Sequence, residues 1–206
     1  MHIADITMFY AVRGGGVSTY LNAKARWLSQ RTRIRHTILS PNVPTTAGKT
    51  RSLVRLPSIP FPGVHGYRMP FSAGGAARLL RRLQPDLVEA GDAGHCALAA
   101  LRVKRQLNIP AVAFYHSDLP RLLGDRLGAA AASAARKYVA RIYRQFDLVL
   151  APSMLMVRQL QQLGIPDAVH QPLGIDMETF SPKRRVSSLR AHLHLAPDTR
   201  MLVYAG

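Results

Sequence analysis

Short apolar runs separated by longer stretches of mixed polarity recur along this chain of 206 residues. Each run is only a few residues long, which is typical of strands. The run at residues 111–115 is apolar throughout, as expected of a central parallel strand that is covered on both faces. The pattern predicts strands at residues 2–7, 35–40, 53–56, 86–90, 111–115, 147–151 and 168–170.

Apolar residues in the stretches between these runs recur at helical spacing. Ser153 is a suitable N-cap for one predicted helix, and Gly164 closes that helix after residue 163. A first helix follows three consecutive glycines near the N-terminus and extends to about residue 30. The other predicted helices cover residues 76–83, 94–107 and 127–146.

Strands and helices alternate through most of the chain, which predicts the α/β class. The expected fold is an open parallel, Rossmann-like sheet flanked by helices and joined by right-handed crossovers. Residues 41–70 are rich in proline and are predicted to form loops and segments at the edge of the sheet. Ligands of such sheets bind at the carboxyl ends of the strands. The glycine loop and the stretches after Tyr115 and Ala151 are expected at that edge.

The last part of the sequence has the pattern of a new structural unit. After Ala191 a Pro-Asp-Thr turn precedes the apolar run at residues 201–206, which is predicted as a strand. A single terminal strand needs partners, so we expect this chain to be the first half of a larger two-domain protein. The predicted division is residues 1–175 as one domain and residues 176–206 as a linker with the first strand of the second domain.

The glycine loop is a candidate anion site. Gly14, Gly15 and Gly16 follow the first predicted strand and precede the first helix. Glycines place no Cβ between the backbone and a ligand, and a helix N-terminus presents N–H groups and a partial positive charge. A phosphate is therefore a suitable ligand. The alternative is a tight strand-to-helix turn that binds nothing.

Charge is unevenly distributed along the sequence. The chain carries 28 Lys and Arg against 11 Asp and Glu, a formal net charge of +17. Such a charge favours anionic partners, although Arg-rich codon usage would give the same bias without a function. The one cysteine, Cys96, suits a reducing compartment. With no apolar run of membrane-spanning length and no signal pattern, we expect a cytoplasmic protein that rests peripherally on the inner face of the cell membrane.

Several common sites are excluded by their missing motifs. The glycines lack the spacing of a nicotinamide-binding fingerprint, and no Gly-Lys-Ser/Thr of a P-loop follows them. No Asp-x-Asp is present to hold a metal through carboxylates, and one cysteine cannot form a zinc cluster. No nucleophile elbow is present. We therefore expect neither a metal nor a bound cofactor.

His116 is the strongest single candidate for chemistry, because it directly follows the apolar strand at residues 111–115. Its imidazole is expected beside the glycine loop, where it would hydrogen-bond a sugar hydroxyl or a phosphate oxygen; the alternative is a histidine that only lines a loop. Asp118 is expected to orient His116 or to cap the next helical turn. Glu89 and Asp92 end the preceding strand and are expected either to form a carboxylate pair or to serve in solvation and loop hydrogen bonding.

Five stretches together resemble one family, the retaining glycosyltransferases of family four with the GT-B fold. The resemblance is closest to the branch that transfers mannosyl, glucosyl and sulfoquinovosyl groups to lipids. The stretches, in sequence order, are RGGGVS at 13–18, PDLV at 85–88, YHSDLP at 115–120, DLVLAPS at 147–153 with Leu160 and GI at 164–165, and PLGID at 172–176 with FSP at 180–182.

The resemblance implies a site and a reaction. Gly15 and Gly16 would bind the donor diphosphate through backbone N–H groups, and His116 would contact the donor sugar as the catalytic residue. Val17 and Asp118 are candidates for contacting or orienting the acceptor. The donor would be a nucleotide sugar such as GDP-mannose or UDP-glucose, and transfer would proceed with retention and without a metal.

The acceptor implied by the resemblance is a lipid or a polyprenyl-type molecule at a membrane. Arg78, Arg81 and Arg82, with the leucines between and after them, are candidates for a membrane-facing patch; the alternative is a solvated helix flank. A rival class is a non-enzymatic basic module for anionic membrane or nucleic acid. Poor interleaving of aromatic and basic residues counts against nucleic acid, and no specific nucleic-acid partner is expected.

Overall fold

The computed structural model describes residues 1–10, 15–49, 51–60, 66–184, 188–196 and 198–202. The chain divides into two compact units, Met1–Leu173 and Gly174–Gly206. Strands in chain order are β1 (His2–Ile6), β2 (Arg35–Ser40), β3 (Arg51–Arg55), β4 (Ser58–Pro60), β5 (Arg68–Pro70), β6 (Leu87–Ala90), β7 (Ala111–Phe114), β8 (Leu148–Ala151) and β9 (Val169–His170). Helices are α1 (Gly16–Arg31), α2 (Ala73–Arg82), α3 (His95–Leu107), α4 (Leu119–Leu127), α5 (Ala129–Tyr143), α6 (Met154–Gln162) and α7 (Ser188–His192).

Seven strands of the first unit form one sheet in the order β3-β2-β1-β6-β7-β8-β9. Every neighbouring pair in this sheet is parallel. The predicted open parallel α/β sheet is therefore confirmed. The change of direction in strand order falls between β1 and β6, where ligands of such sheets commonly bind.

Both faces of the sheet are covered by helices. The larger core cluster joins β1, β6, β7 and β8 to α2, α3, α5 and α6, and the smaller one lies under α1, where Leu21 packs with Ile38 and Val43. All four residues of β7 are buried, which agrees with their continuous apolar character. Because β7 is fixed on both faces, the residues that follow it at the carboxyl edge are firmly placed.

The helix predicted at 127–146 corresponds to α5, which covers Ala129–Tyr143, whereas α4 at Leu119–Leu127 was not predicted. Gly128, with φ of 86°, separates α4 from α5. The two helices pack so closely that a Cβ on Gly124 would lie 3.0 Å from the Cβ of Ala132. The alanine-rich start of α5 permits this approach.

Two further elements lie where the sequence predicted only loop. Strands β4 and β5 pair antiparallel as a small separate sheet within the proline-rich stretch. Each is three residues long, too short for a period of two to be recognised.

In the second unit the carboxylate of Asp176 accepts hydrogen bonds from the backbone N–H groups of Glu178 and Thr179 and from the Thr179 hydroxyl. Of the predicted strand at 201–206, residues 203–206 lie outside the described part of the chain, and Met201 and Leu202 are not in a strand. None of the helices in the described ranges is both long and apolar enough to cross a bilayer.

Candidate active site

The first helix, α1, follows β1 at the carboxyl edge of the sheet. Gly15 is the N-cap of α1 with φ of 107°, a conformation that favours glycine, and it brings no side chain to cap the first turn. The first turn also holds no acidic residue. The partial positive charge of this helix end is therefore not offset locally by a carboxylate, as an anion site requires. Gly14 lies outside the described residues.

A cleft of about 210 Å³ lies beside this helix end. It brings Gly15, Gly16 and Val17 together with His116, although the histidine is a hundred residues further along the chain. Phe9 and Tyr67, whose rings meet edge to face at 5.9 Å between centroids, form part of the opposite wall. The lining residues are Phe9, Gly15, Gly16, Val17, Tyr67, His116, Ser117 and Leu122.

The imidazole of His116 is held between aromatic rings. It stacks on Phe114 at 4.0 Å between centroids and 7° between planes, and the ring of Tyr20 lies 5.6 Å away. Burial lowers the pKa of His116 to about 4, although the Asp5 carboxylate acts in the opposite sense. At neutral pH the ring is uncharged, so it serves as a hydrogen-bonding group and not as a cation for a diphosphate.

A buried ionic network lies behind these rings. The Lys24 Nζ is 2.8 Å from a carboxylate oxygen of Asp5 and 2.8 Å from one of Glu89. The Tyr20 hydroxyl donates to the other oxygen of Glu89 at 3.1 Å, and His36 Nε2 lies 2.6 Å from Asp5. The network joins β1, β2 and β6 to the first helix.

The network shifts the pKa values of its members in different directions. Burial and the Asp5 carboxylate raise the pKa of Glu89, against the opposing effect of Lys24. For Asp5, burial favours the neutral acid, but Lys24 and His36 outweigh it and lower its pKa. Burial also opposes the charge on Lys24, yet the two carboxylates raise its pKa above the usual value. Lys24 therefore remains an ammonium ion.

The predicted carboxylate pair of Glu89 and Asp92 is wrong, and so is their solvation, because both side chains are buried with separate partners. The predicted loop hydrogen bonding is confirmed for Asp92. Glu89 belongs to the ionic network. Asp92 accepts hydrogen bonds from the backbone N–H groups of Met8 and Gly94, both at 2.9 Å, and so fixes the loop after β6. Lys24 and Asp5 were missed because nothing in a single sequence shows that an acid in one strand faces a lysine in the next helix.

Asp118 lies at the N-terminus of α4 and caps it. Its carboxylate accepts from the backbone N–H of Arg121 at 3.1 Å and from the Tyr115 hydroxyl at 3.2 Å. These contacts correspond to the capping alternative. Asp118 lines a separate cavity of about 500 Å³, together with Tyr115 and residues of α4, α5 and α6. The lining of this cavity includes neither His116 nor Gly15 and Gly16. The larger cavity is therefore not the one in which Gly15 and His116 meet.

The proposed membrane patch on α2 is only partly present as predicted. Arg78, Arg81 and Arg82 are exposed, but Leu80 is fully buried and Leu79 and Leu83 pack against the core. The apolar side of α2 covers the sheet, because its helical period directs these leucines inward. The leucines thus cannot insert into a bilayer, while the three arginines face solvent. Within the described ranges, no group of three His, Cys, Asp or Glu side chains is arranged to hold a metal ion.

The sheet topology defines an α/β domain with a candidate anion site at its first crossover. Comparison with known proteins identifies the family. Residues 14–179 match the family described as Glycosyltransferase Family 4. The chain belongs to this family, as the sequence motifs predicted.

Named relatives narrow the resemblance. The chain is 28% identical, over all of its length and 54% of the relative, to a GDP-mannose-dependent alpha-(1-6)-phosphatidylinositol dimannoside mannosyltransferase of Mycobacterium tuberculosis. A GDP-mannose-dependent alpha-mannosyltransferase of the same species is 30% identical over 72% of the chain and 39% of the relative. A sulfoquinovosyl transferase of Arabidopsis thaliana is 25% identical over 71% of the chain and 30% of the relative. The chain therefore spans about half the length of the first of these curated relatives, and less of the others.

Solved structures share the fold. Sucrose-phosphate synthase from Thermosynechococcus elongatus superposes with a TM-score of 0.70 at 16% identity, over 96% of this chain and 53% of that one. Anabaena HepE in complex with UDP and glucose gives a TM-score of 0.58 at 16% identity, over 93% and 50%. At such low identity these likenesses show the fold alone, and they agree with the predicted GT-B type of Rossmann-like domain.

Proposed function

We propose that the protein containing this chain transfers a hexosyl group from a nucleotide sugar to a lipid-type acceptor. The observation that carries the proposal is the shared cleft of Gly15, Gly16 and His116 at the carboxyl edge of the sheet, in a member of a glycosyltransferase family. In this assignment the amides at the start of α1 receive the diphosphate. His116 donates or accepts a hydrogen bond at the transferred sugar.

The proposed donor and acceptor are based on what the named relatives use. Two of the named relatives are GDP-mannose-dependent mannosyltransferases, and one acts on a phosphatidylinositol dimannoside. We therefore propose GDP-mannose as the donor and an anionic glycolipid as the acceptor, with UDP-glucose as the competing donor. The formal charge of +17 and the exposed arginines of α2 would hold the protein at an anionic membrane face, on the cytoplasmic side.

Retention and independence from metal are parts of the same proposal. A helix N-terminus stabilises charge on a leaving diphosphate without a cation. The non-enzymatic basic module has no comparable support, because it explains neither the family match nor the cleft.

The test is a transfer assay with the gene product that contains this chain. It is incubated with radiolabelled GDP-mannose or UDP-glucose and with vesicles that contain either phosphatidylinositol dimannoside or only phosphatidylcholine. We expect label in the lipid fraction from GDP-mannose with the anionic vesicles, in the presence of EDTA as well, and a product with the anomeric configuration of the donor. Hydrolysis or no reaction with both donors on both vesicles would contradict the proposal.

Two neighbouring glycines provide a matched pair of substitutions. Gly15→Ala should lower the free energy of unfolding by about 1–3 kcal/mol, because its φ of 107° is strained for a side chain. Gly16→Ala should leave stability unchanged or raise it by up to about 1 kcal/mol, because Gly16 is helical and nothing lies within 4 Å of an added Cβ. Urea denaturation measures both.

The same pair should separate stability from ligand binding. The methyl group of Gly16→Ala enters the cleft and should weaken binding of the nucleotide diphosphate, measured by calorimetry, although the fold is intact. Equal stability losses for the two variants would show that the backbone at Gly15 is not strained. Unchanged binding by Gly16→Ala would remove this helix end from the donor site.

A further inference from the structure

Three aromatic rings meet at the inner end of the cleft, and they come from two different elements. Tyr20 contacts Phe114 edge to face at 5.1 Å between centroids and His116 at 5.6 Å, while Phe114 and His116 stack on each other. Phe114 ends β7, and Tyr20 lies about one turn into α1, the helix that begins at Gly16. Tyr20 therefore connects the glycine end of the cleft to the imidazole.

The ionic network of Lys24, Glu89 and Asp5 holds the Tyr20 side chain in place. Its hydroxyl donates to Glu89 at 3.1 Å, and the Lys24 Nζ lies 5.8 Å from the centroid of its ring. Lys24 in turn binds Glu89 and Asp5, one from each of the two adjacent central strands. A tyrosine held at its hydroxyl and along its ring has little freedom to change rotamer. Its position therefore follows that of the network.

We propose that Tyr20 is a positioning residue for His116: anchored by Lys24 and Glu89, its ring completes an aromatic cage with Phe114 that sets the orientation of the imidazole in the cleft. A catalytic role of this arrangement rests on the proposed function, whereas the cage itself does not. Tyr20 lines no part of the cleft described above, so it acts through His116 and not on the substrate.

The cage also controls how His116 titrates. The charged groups that act on His116 are Asp5 of β1 and Lys24 of α1, with Glu89 of β6 linked to both through the network. Asp5 favours protonation of the imidazole, whereas Lys24 and burial between the rings oppose it. Removing the Tyr20 ring admits water to the side of the imidazole that this ring covers, and the charged form becomes easier to reach.

The experiment follows the His116 ring by NMR between pH 4 and 8 in the 206-residue chain, with His116→Asn used to assign its signal. The unmodified chain should show no titration of His116 above about pH 5. Tyr20→Ala should raise the titration midpoint by about one pH unit or more, toward the ordinary histidine value. Tyr20→Phe retains the ring and should shift the midpoint by less than half as much.

Tyr138 provides the matched control. Its hydroxyl donates to the backbone carbonyl of Ala93, it is partly exposed, and it lies outside the ring cluster. Tyr138→Ala should leave the His116 titration unchanged. If Tyr20→Ala fails to fold, Tyr20→Leu keeps part of the apolar bulk and should raise the midpoint in the same direction by a smaller amount.

Two results would overturn the proposal. One is an unchanged His116 midpoint in a folded Tyr20→Ala or Tyr20→Leu variant; the other is an equal shift in Tyr20→Phe and Tyr20→Ala. Neither depends on sugar transfer, so failure here is distinct from failure of the proposed function. In an active protein, Tyr20→Ala should lower kcat about tenfold with little change in the KM for the donor, and Tyr20→Phe should recover most of the rate.

Discussion

Replacing Lys24 with methionine is expected to lower the free energy of unfolding by about 3–5 kcal/mol at neutral pH. Methionine keeps most of the lysine stem but removes the ammonium group that lies 2.8 Å from both Asp5 and Glu89. Two buried carboxylates are then left close together without a cation. The loss is measured by urea denaturation. It should shrink as the pH falls from 7 toward 5, because burial and the Asp5 carboxylate raise the pKa of Glu89, which then takes up a proton in the folded state.

Lys104 is a control at the same distance but in a different environment. Its Nζ lies 2.7 Å from Asp147, and the two side chains are 26% and 47% exposed, against 17% and 2% for Lys24 and Asp5. Lys104→Met should therefore cost less than about 1 kcal/mol. Similar losses for the two variants would show that the Lys24 network is solvated and does not hold the first helix on the sheet.

The fold was predictable because the alternation of short apolar runs with helical stretches is repeated along the chain. Seven short apolar runs separated by helical stretches are typical of a parallel sheet with helical crossovers. Six of the predicted strands agree with the observed ones within one residue at each end. β3 begins two residues earlier than predicted, at Arg51, because this edge strand carries arginine and serine where it faces solvent. The elements that were not predicted are short: the three-residue strands β4 and β5 and the nine-residue helix α4 before Gly128.

The candidate site was predictable in position but not in composition. His116 could be placed because it follows a buried strand, and Gly15 because it precedes a helix. Phe114, Tyr20 and Lys24 could not, because an aromatic or a lysine at helical spacing is equally compatible with an ordinary core or surface. What joins them to the site is the register between β1, β6 and the first helix, which a single sequence does not specify.

His116→Ala is expected to lower the turnover of the active protein by about 10²–10³-fold, the loss that follows removal of one hydrogen bond that strengthens in a transition state. Stability should change little, because one face of the imidazole already borders the cleft. Turnover is measured in the transfer assay at saturating donor, and the fold is checked by the urea midpoint. Loss of turnover is expected whether the imidazole acts as a neutral hydrogen-bonding group, as its lowered pKa indicates, or as a cation that pairs with the diphosphate.

His116→Gln distinguishes these two roles. Its amide is neutral and can donate or accept a hydrogen bond but carries no positive charge. If the imidazole acts as a neutral hydrogen-bonding group, the glutamine variant should retain about tenfold more activity than the alanine variant, and the pH dependence of turnover should be flat between about pH 6 and 8. Equal activities of the two variants, with a rate that rises as the pH falls through 6, would instead indicate that His116 acts as an imidazolium. The cage of Phe114 and Tyr20 would then not control the protonation of His116.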